Sequence, residues 1–259
     1  MIPRHRQMLN HLRQHGDTSV EELAKILLVT AQTIRRDIRE LEDARLLARY
    51  HGGVGIPSTV QNIDYDQRQV MNSDAKQRIG QLAAAHVEHG RSLIINIGTT
   101  TEEVSKALLH HKAIRVVTNN LNVASILSNN EEAEVIVAGG LVRKRDRGIV
   151  GEATIDFMRQ FKVDVGIIGV SGIEADGTLL DYDYREVRVT QAIFEQSREV
   201  WLVADQSKFG RHALVRLGNI AQIDKFFTDA PVPPQALAAF EKSGVEVLVA
   251  DAARTGDVD

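Results

Sequence analysis

The stretch TAQTIRRDIRELEDARLLARYHGGVGI, residues 30–56, carries the strongest fold signal in this chain of 259 residues. At about 100° per residue, Ile34, Ile38 and Leu41 share one face of a helix, and Thr30 stands where an N-cap is expected. Polar and basic residues occupy the other faces: Gln32, Thr33, Arg35, Arg36 and Arg39. The following LLARYHGGVGI predicts two short strands around His51-Gly52-Gly53. The stretch therefore predicts a helix with a polar face followed by a β-hairpin.

Two further helices are predicted before this stretch. The first runs from about Pro3, which suits a first helical turn, to His15. The second opens at Thr18 or Ser19, and either residue forms a capping box with the glutamate three positions later. A short turn, LVT, separates this second helix from the third. Two helices joined by a tight turn and followed by a hairpin predict a winged helix-turn-helix over residues 1–57.

The polar face of the third predicted helix has the chemistry of a DNA-reading surface. Arginine binds the O6 and N7 atoms of guanine, glutamine pairs similarly with adenine, and both also bind phosphate. The competing interpretation is a three-helix packing module with a solvated basic face, since most charged helix faces are simply solvated. On the first interpretation the DNA-contacting residues are Ser19, Thr30, Gln32, Thr33, Arg35, Arg36 and Arg39, with Arg49 and His51 from the hairpin.

The net charge of −4 argues at first sight against a nucleic-acid-binding protein. The charge is unevenly distributed, however. Residues 1–60 contain nine Lys/Arg and seven Asp/Glu, a net charge of +2, whereas the rest of the chain contains 22 and 28, a net charge of −6. A small basic module joined to a larger acidic one is compatible with DNA binding.

Composition excludes several other classes of protein. With 43% hydrophobic and 25% charged residues the chain is expected to fold, and no run approaches the roughly 18 apolar residues of a membrane span. The absence of cysteine excludes disulfides, thiolate metal sites and cysteine nucleophiles. The first residues, MIPRHRQMLNHLRQHG, have no apolar core of the signal-peptide kind, so we expect a cytoplasmic protein.

Beyond the hairpin the sequence changes character. Residues 58–73 are polar with little periodicity, which predicts a linker, and Ser73 is expected to cap a helix. Over residues 74–250 short apolar runs alternate with helical stretches, which indicates βαβ units and a mostly parallel sheet with helices on both faces. Residues 251–259 are predicted to form a polar tail. The apolar runs are SLIINI (92–97), RVVT (115–118), VIVAGG (135–140), VGIIGV (165–170), VWLVAD (200–205), KFFTD (225–229) and VEVLVA (245–250).

Five loops that follow predicted strands are rich in residues that bind phosphate. A glycine and hydroxyl residues at a helix start, as in residues 98–101, offer an anion free backbone N–H groups and the positive end of the helix dipole. Taken singly, each loop is more often a turn with a helix cap. Because the carboxyl ends of parallel strands meet at one edge of a sheet, the five loops together predict one ligand site. Its predicted residues are Gly98, Thr99, Thr100, Thr101, Thr118, Asn119, Asn120, Gly139, Gly140, Arg143, Ser171, Gly172, Asp205 and Lys208.

The run from Thr30 to Ile38 and the HGG sequence of the hairpin resemble the recognition helix and wing of the DeoR family of bacterial repressors, with Ala31 where many members carry proline. INIGTTTEEV, VVTNNLNVA, VIVAGGLVR, VGIIGVSGI and VADQSKFGR are similar to the family's sensor domain. The resemblance implies a sensor domain related in fold to ribose-5-phosphate isomerases. It also implies a homodimer or homotetramer that binds double-stranded operator DNA and is released by a phosphorylated metabolite, with glycerol-3-phosphate favoured.

An enzyme is the rival hypothesis, because isomerases of that type act on sugar phosphates. Such chemistry needs a carboxylate base near the substrate carbons and a lysine or an oxyanion clamp. Counted back from Lys208, the isomerase glutamate falls near Thr190 and its loop lysine near Asp181. The loop ending at Ser171-Gly172 also lacks the isomerase carboxylates. We therefore expect a binding protein without catalytic activity.

Two groups of residues have the chemistry of metal ligands. His11 and His15 lie four residues apart on a helix without a third ligand, so solvent-facing histidines are expected. Three carboxylates could hold a divalent cation or the polar end of a ligand, but we favour their pairing with Arg185 and Arg188. These carboxylates are Asp181, Asp183 and Glu186. No metal and no cofactor is predicted.

Overall fold

The computed structural model of the chain describes residues 2–15, 17–43, 46–50, 53–56, 62 and 64–250, without the side chains of Arg13, Gln14 and Tyr50. The chain divides into two compact units, Met1–Gln67 and Arg68–Asp259. None of the helices in the described ranges has the length and apolar character that crossing a membrane requires. The hairpin tip at His51 and Gly52, the predicted domain boundary at Pro57 and the predicted tail 251–259 lie outside the described residues.

The helices and hairpin predicted for the N-terminal unit are confirmed. α1 spans Pro3–His15, α2 spans Val20–Ile26 and α3 spans Ala31–Asp43. β1 (Ala48–Tyr50) and β2 (Gly53–Gly55) pair in antiparallel orientation. Apolar side chains from all of these helices and from the hairpin region form one buried core: Met8, Leu9, Leu12, Leu23, Ile34, Ile38, Leu41, Leu47 and Val54.

Local hydrogen bonds begin α2 and α3 where the sequence predicts. The Ser19 hydroxyl accepts a hydrogen bond from the backbone N–H of Glu22 at 3.1 Å, and the Thr30 hydroxyl accepts one from Thr33 at 3.2 Å. Between the two helices Leu28 has a left-handed φ of 53°, and the residue is 90% exposed. This left-handed residue lies in the sharp turn of the helix-turn-helix, at a position where a Cβ atom is unfavourable.

The hairpin is joined to the entrance of α2 by backbone hydrogen bonds. The N–H of Thr18 donates to the carbonyl of Val54 at 3.0 Å, and the N–H of Val54 donates to the carbonyl of Thr18 at 2.9 Å. A Cβ atom on Gly53 would lie 2.3 Å from the Thr18 carbonyl oxygen, so only glycine fits there. The hairpin is therefore fixed to the start of the helix-turn-helix by a single antiparallel β-bridge between Thr18 and Val54.

The rest of the chain alternates helices and strands. In chain order these are α4 (Tyr65–Val70), α5 (Ser73–Ala85), β3 (Ser92–Ile95), α6 (Thr99–Ala107), β4 (Arg115–Thr118), α7 (Leu121–Leu127), β5 (Glu134–Val137), β6 (Leu141–Arg143), β7 (Gly148–Val150), α8 (Glu152–Met158), β8 (Val163–Ile168), β9 (Gly172–Ile173), β10 (Thr178–Asp181), α9 (Tyr184–Gln196), β11 (Ser197–Val203), β12 (Val215–Asn219), β13 (Lys225–Thr228), α10 (Pro234–Ser243) and β14 (Glu246–Val249).

Seven of these strands form one parallel sheet in the order β14-β13-β11-β8-β3-β4-β5. They correspond to the seven apolar runs, so the predicted sheet is confirmed. Apolar residues of α5, α6 and α7 pack on one face of the sheet, and those of α8, α9 and α10 pack on the other. β6 pairs with β7, and β10 lies between β9 and β12, in two small antiparallel sheets.

The predicted linker, residues 58–73, differs from the structure. α4 lies inside it, and the division between the compact units falls after Gln67. Polar contacts hold this segment: Arg68 donates to Asp146 at 3.5 Å, and the Lys76 ammonium donates to the Arg68 carbonyl. Because Asp146 lies 78 residues away from Arg68 in the chain, apolar periodicity does not reveal this contact. Ser73 is not the cap of α5 either, since it is the first helical residue and Asn72 precedes it in a left-handed conformation.

Candidate DNA-binding surface and effector site

The polar residues of α3 form an exposed surface, as the helical spacing predicts. Ile34, Ile38 and Leu41 are buried beneath it. The reading surface, as we call it, consists of the exposed Gln32, Arg35, Arg36 and Arg39 together with the half-buried Thr33 and the exposed Thr30. Of the other predicted contacts, Ser19 is half-buried at the start of α2, Arg49 is exposed on β1, and His51 lies outside the described residues.

The arginines of this surface form ion pairs that water can reach. Arg36 pairs with Glu40 at 3.1 Å, and the Arg36 side chain is 82% exposed. Arg35 pairs with Glu21 at 3.3 Å, across the two helices of the motif. Exposed pairs of this kind contribute at most about 1 kcal/mol, so each arginine can leave its carboxylate for a DNA phosphate or base edge at little cost.

A buried ion pair fixes the inner side of α3, and the sequence prediction missed it. Asp37 is 2% exposed and accepts hydrogen bonds from the Arg4 guanidinium, one of them at 2.8 Å. His5 lies 3.4 Å from the same carboxylate. The hydrogen bond from Arg4 lowers the pKa of Asp37, although burial opposes this. The signal was present in the spacing, because Asp37 lies three residues after Ile34 and beside Ile38, on the inward face.

The second candidate site is the carboxyl edge of the large sheet. Strands β11, β8, β3, β4 and β5 are neighbours there, in that order. Each is followed by one of the five predicted loops, so the structure brings those loops to one edge. The predicted residues in them divide into three groups: those already used by the fold, those with unused polar groups, and one arginine inside an ion cluster.

Several predicted residues have hydroxyl or amide groups that the fold itself uses. Thr101 donates to the carbonyls of Asn96 and Gly98, at 2.8 and 2.7 Å. Thr118 donates to the carbonyl of Ile95 at 2.7 Å and accepts from the Asn120 N–H. Asn120 also caps α7, and its side-chain amide donates to the buried carboxylate of Glu102. These side chains shape the loops.

Two predicted glycines are required by close packing. A Cβ atom on Gly172 would lie 2.0 Å from the carbonyl oxygen of Arg211, and one on Gly140 would lie 2.2 Å from the Thr154 hydroxyl. Gly139 supplies the carbonyl that accepts from the same hydroxyl, and a Cβ atom there would meet open space. Gly140 and Gly172 are therefore required because a side chain at either position would clash with neighbouring atoms.

Arg143 lies in a buried ion cluster. Its guanidinium donates to Asp146 at 2.6 and 2.8 Å, to Asp183 at 2.8 Å and to Glu186 at 2.5 Å, and its side chain is 9% exposed. Asp183 also pairs with Arg185 at 3.3 Å, as the sequence predicts.

The predicted pairing of these carboxylates with Arg188 is wrong. Glu186 faces Arg143, and Arg188 instead pairs with Glu152 at 2.6 Å. The reason is topological, because β6 brings Arg143 beside the first turn of α9, and chain spacing within α9 does not reveal that neighbour.

Burial shifts the protonation of this cluster. It raises the pKa of Glu186 to about 7, with repulsion from Asp181 adding to the effect and Arg143 opposing it. Burial raises the pKa of Asp181 as well. Burial also acts on Asp183, but hydrogen bonds from Arg143 and Arg185 outweigh it and lower the pKa of that carboxyl to about 2.

The loop after β11 contains Lys208, whose protonation is shifted by its surroundings. Burial, together with the nearby cations Arg211, Arg68 and Lys76, lowers the pKa of Lys208 to about 7 against the opposing pull of Asp205. Within residues 64–250 the Lys208 ammonium forms no ion pair and donates no hydrogen bond. Asp205 is held by Asn72 at 3.0 Å and by the Ser207 N–H at 3.0 Å.

Other polar groups at this edge are also unused. Among the described residues, the hydroxyls of Thr99 and Thr100 form no hydrogen bond, and both residues lie in the first turn of α6. That turn has N–H groups without helical acceptors, and its cap, Gly98, offers no side chain. Ser171 donates to Asp181 at 3.1 Å. The edge therefore presents two hydroxyls and backbone N–H groups after β3 and the Lys208 ammonium after β11, which is the chemistry that binds a phosphate.

Two buried asparagines complete the edge. Asn96 donates to the Thr190 hydroxyl at 2.8 Å, and Asn119 donates to the carbonyl of Ile149 at 3.1 Å. The side-chain oxygens of both are buried and have no hydrogen-bond partner among the described residues. Asn119 was predicted as a ligand residue and Asn96 was not, because the signal for Asn96 is an unsatisfied atom rather than a sequence pattern.

The described residues contain no group of three or more His, Asp or Glu side chains arranged for a metal ion. His11 and His15 instead stack on each other, with ring centroids 4.5 Å apart.

Comparison with known proteins identifies the class. Residues 4–60 match the DeoR-like helix-turn-helix domain, and residues 71–230 match the DeoR C-terminal sensor domain. The chain belongs to the DeoR family, and it is a transcriptional repressor that binds operator DNA and responds to a small effector, not an enzyme. The resemblance seen in the sequence is thereby confirmed.

Two relatives are similar over nearly their full length. A glycerol-3-phosphate regulon repressor of Escherichia coli is 48% identical over 89% of this chain and 91% of its own. One of Haemophilus influenzae is 49% identical over 88% of this chain and 89% of its own. Among solved structures, ribose 5-phosphate isomerase A of Methanocaldococcus jannaschii superposes with a TM-score of 0.41 and 13% identity, over 54% of this chain and 56% of that one.

Proposed function

We propose that this repressor controls genes of glycerol and glycerol-3-phosphate metabolism in the cytoplasm and leaves its operator when a phosphorylated metabolite, with glycerol-3-phosphate favoured, binds the sensor unit. The observation that carries the proposal is Lys208, a half-buried lysine in the loop after β11 whose ammonium forms no hydrogen bond or ion pair with a described residue, although the nearby Asp205 opposes the lowering of its pKa. A phosphate dianion supplies this ammonium with hydrogen-bond acceptors. The names of the two relatives support the same effector.

The phosphate is placed between Lys208 and the first turn of α6. Thr99 and Thr100 offer hydroxyls, and the helix start offers backbone N–H groups and its positive dipole end. Ser171-Gly172, after β8, lies between these two groups in the sheet order. Phosphate binding stabilises the protonated form of Lys208, so effector affinity should fall as the pH rises above 7.

DNA contact is assigned to the reading surface on α3, aided by Ser19 and by Arg49 and His51 of the hairpin. A module of about 60 residues buries little DNA surface, so specific affinity requires two copies on a symmetric site. A homodimer or homotetramer therefore forms the DNA-binding species. The effector releases repression by binding more tightly to the arrangement of subunits that does not fit the operator.

The proposal is tested by operator release. The full chain is used to select binding duplexes from a random pool, and the tightest duplex is then titrated with a panel of phosphorylated metabolites that includes glycerol-3-phosphate. Release by glycerol-3-phosphate at lower concentration than by the other members is expected. Release by none of the phosphorylated compounds would contradict the proposal.

The position of the phosphate is tested with variants. Thr100→Val combined with Lys208→Met should bind the duplex normally and no longer respond to glycerol-3-phosphate. Lys112→Met is the matched control, because Lys112 is an exposed lysine before β4, at the opposite edge of the sheet. Persistence of release in the double variant would show that the phosphate binds elsewhere.

A further inference from the structure

Two buried asparagines follow neighbouring strands at the carboxyl edge of the sheet. Asn96 directly follows β3 and Asn119 directly follows β4, and the last paired residues of these parallel strands are Ile95 and Thr118. The asparagines are therefore the next pair in register, on strands that run about 4.8 Å apart. They are 1% and 0% exposed.

Both asparagines project to the same face of the sheet. Side chains alternate along a strand, so Asn96 shares a face with Ile94 and Asn119 shares one with Val117. Ile94 and Val117 belong to the core cluster that includes residues of α9. The bond from Asn96 to Thr190, a residue of α9, agrees with this assignment.

The hydrogen-bond network fixes which atom of each amide remains unused. The Thr190 hydroxyl donates to the carbonyl of Glu186 at 3.0 Å, so it can only accept from Asn96, and the Asn96 amide nitrogen must face it. Asn119 likewise donates to a backbone carbonyl. In the part of the chain that the structure describes, each side-chain oxygen is left without a donor. An unsatisfied buried acceptor is destabilising, and a ligand that supplies a donor removes this penalty.

We infer that Asn96 and Asn119 bind adjacent hydroxyl groups of the effector and select a polyol monophosphate over its carbonyl counterpart. This inference rests on the proposed function and adds the recognition of the end of the effector that carries no phosphate. An alcohol donates a hydrogen bond to an amide oxygen, whereas a ketone or aldehyde oxygen only accepts and leaves the asparagine unsatisfied. A phosphate oxygen is disfavoured here for the same reason, which orients the ligand with its phosphate toward Lys208.

The test is calorimetric binding of four compounds to the full chain: glycerol-3-phosphate, dihydroxyacetone phosphate, propyl phosphate and inorganic phosphate. Each hydroxyl replaced by a carbonyl or a hydrogen should weaken binding roughly 10- to 100-fold, because a buried acceptor is left without its donor. In Asn96→Leu and in Asn119→Leu the preference for glycerol-3-phosphate over dihydroxyacetone phosphate should fall to less than about threefold, while the affinity for inorganic phosphate is retained.

Thr228→Val is the matched control. The Thr228 hydroxyl is also buried at the end of a strand of this sheet, with no partner in the described ranges, but β13 is separated from β3 by β11 and β8. Its removal should leave the preference unchanged. Operator binding without ligand verifies that each variant is folded. If one asparagine variant fails that check, the other variant and the four-compound series with the unaltered protein decide the outcome.

The outcomes separate this inference from the proposed function. Equal binding of glycerol-3-phosphate, dihydroxyacetone phosphate and propyl phosphate would overturn the inference and leave phosphate sensing in place. An undiminished preference in both asparagine variants would overturn it too. Failure of every phosphate compound to bind would overturn both proposals together.

Discussion

Arg36 on α3 and Arg143 in β6 both pair with glutamate, in opposite surroundings. The Arg36 side chain is 82% exposed and has a carboxylate one helical turn away. The Arg143 side chain is 9% exposed and contacts three carboxylates, Asp146 after β6 and Asp183 and Glu186 at the start of α9. An arginine in an exposed ion pair exchanges its carboxylate for another partner at little cost. When a buried ion pair loses one partner, the remaining charge is left uncompensated. Charges on the reading surface are thus available to DNA, and charges at the sensor edge hold the architecture of the site.

The comparison is tested most strongly by Arg143→Met. The substitution leaves Asp146, Asp183 and Glu186 buried without their common cation, so the free energy of unfolding of the sensor unit should fall by about 3–5 kcal/mol. Urea unfolding of the full chain measures the effect. Arg188→Met is the control, since it breaks the more exposed pair with Glu152 and should cost less than about 1 kcal/mol. Equal losses in the two variants would contradict the distinction.

Arg36→Ala tests the other side of the comparison. Operator binding should weaken by about 1–3 kcal/mol and discriminate less between base sequences if Arg36 contacts a base. The stability of the N-terminal unit should change by less than about 0.5 kcal/mol, since the lost pair is exposed. Arg6→Ala, which removes the same charge from the exposed side of α1, should affect binding less. Unchanged operator affinity would show that Arg36 does not contact the operator.

Glu186→Gln tests the buried ion cluster through the pH dependence of protein stability. The pKa of Glu186 is about 7 in the folded protein, above the 4.5 of the free group, so folding favours its protonated form. Its stabilising contribution is present below pH 4.5 and is lost as the pH rises toward 7. The glutamine variant should be more stable than the unaltered protein at pH 8, by at least the roughly 1.4 kcal/mol that one pKa unit represents.

Thermal unfolding of both proteins at pH 5 and pH 8 checks this prediction. The exposed Glu195→Gln, which breaks a surface pair with Arg159, should leave the pH profile unchanged. A glutamine variant that is less stable than the unaltered protein at pH 8 would show that the ionised carboxylate is needed by Arg143.

The smallest predicted effect concerns the turn of the helix-turn-helix. Leu28 is 90% exposed with a φ of 53°, so Leu28→Gly removes backbone strain and almost no packing. The N-terminal unit should gain about 1 kcal/mol. Leu27→Gly should have the opposite sign, because Leu27 has a φ of −91° and packs against the core. Thermal unfolding distinguishes the two, and destabilisation by both would show that the Leu28 side chain contributes to the fold.

Much of the fold follows from local patterns in the sequence. The helices of the N-terminal unit appear as a spacing of apolar residues with hydroxyl caps, and the strands of the sheet appear as apolar runs, because burial on one or both faces dictates those patterns. The loops at the carboxyl edge follow from parallel topology. α4 does not, since Arg68 contacts Asp146, which lies 78 residues away in the chain.

The use of individual side chains at the sensor edge was not predictable in the same way. Arg143 is of a residue type that binds phosphate, but its partners Asp183 and Glu186 lie 40 and 43 residues away in the chain. The Asn96 oxygen becomes informative only when every neighbouring donor is known. Such assignments depend on three-dimensional hydrogen-bond partners, and residue type alone does not contain them.

The paired hydrogen bonds between Thr18 and Val54 have a consequence for how new operators are acquired. They join the hairpin to the helix-turn-helix, so the spacing between the bases that we propose α3 contacts and the DNA that we propose the hairpin contacts should be constant. Substitutions on the reading surface should then change the base sequence that the protein prefers without changing the length of the half-site. Randomising Gln32, Thr33 and Arg36 while keeping Thr18, Gly53 and Val54 should therefore yield repressors with new sequence preference and the same half-site length.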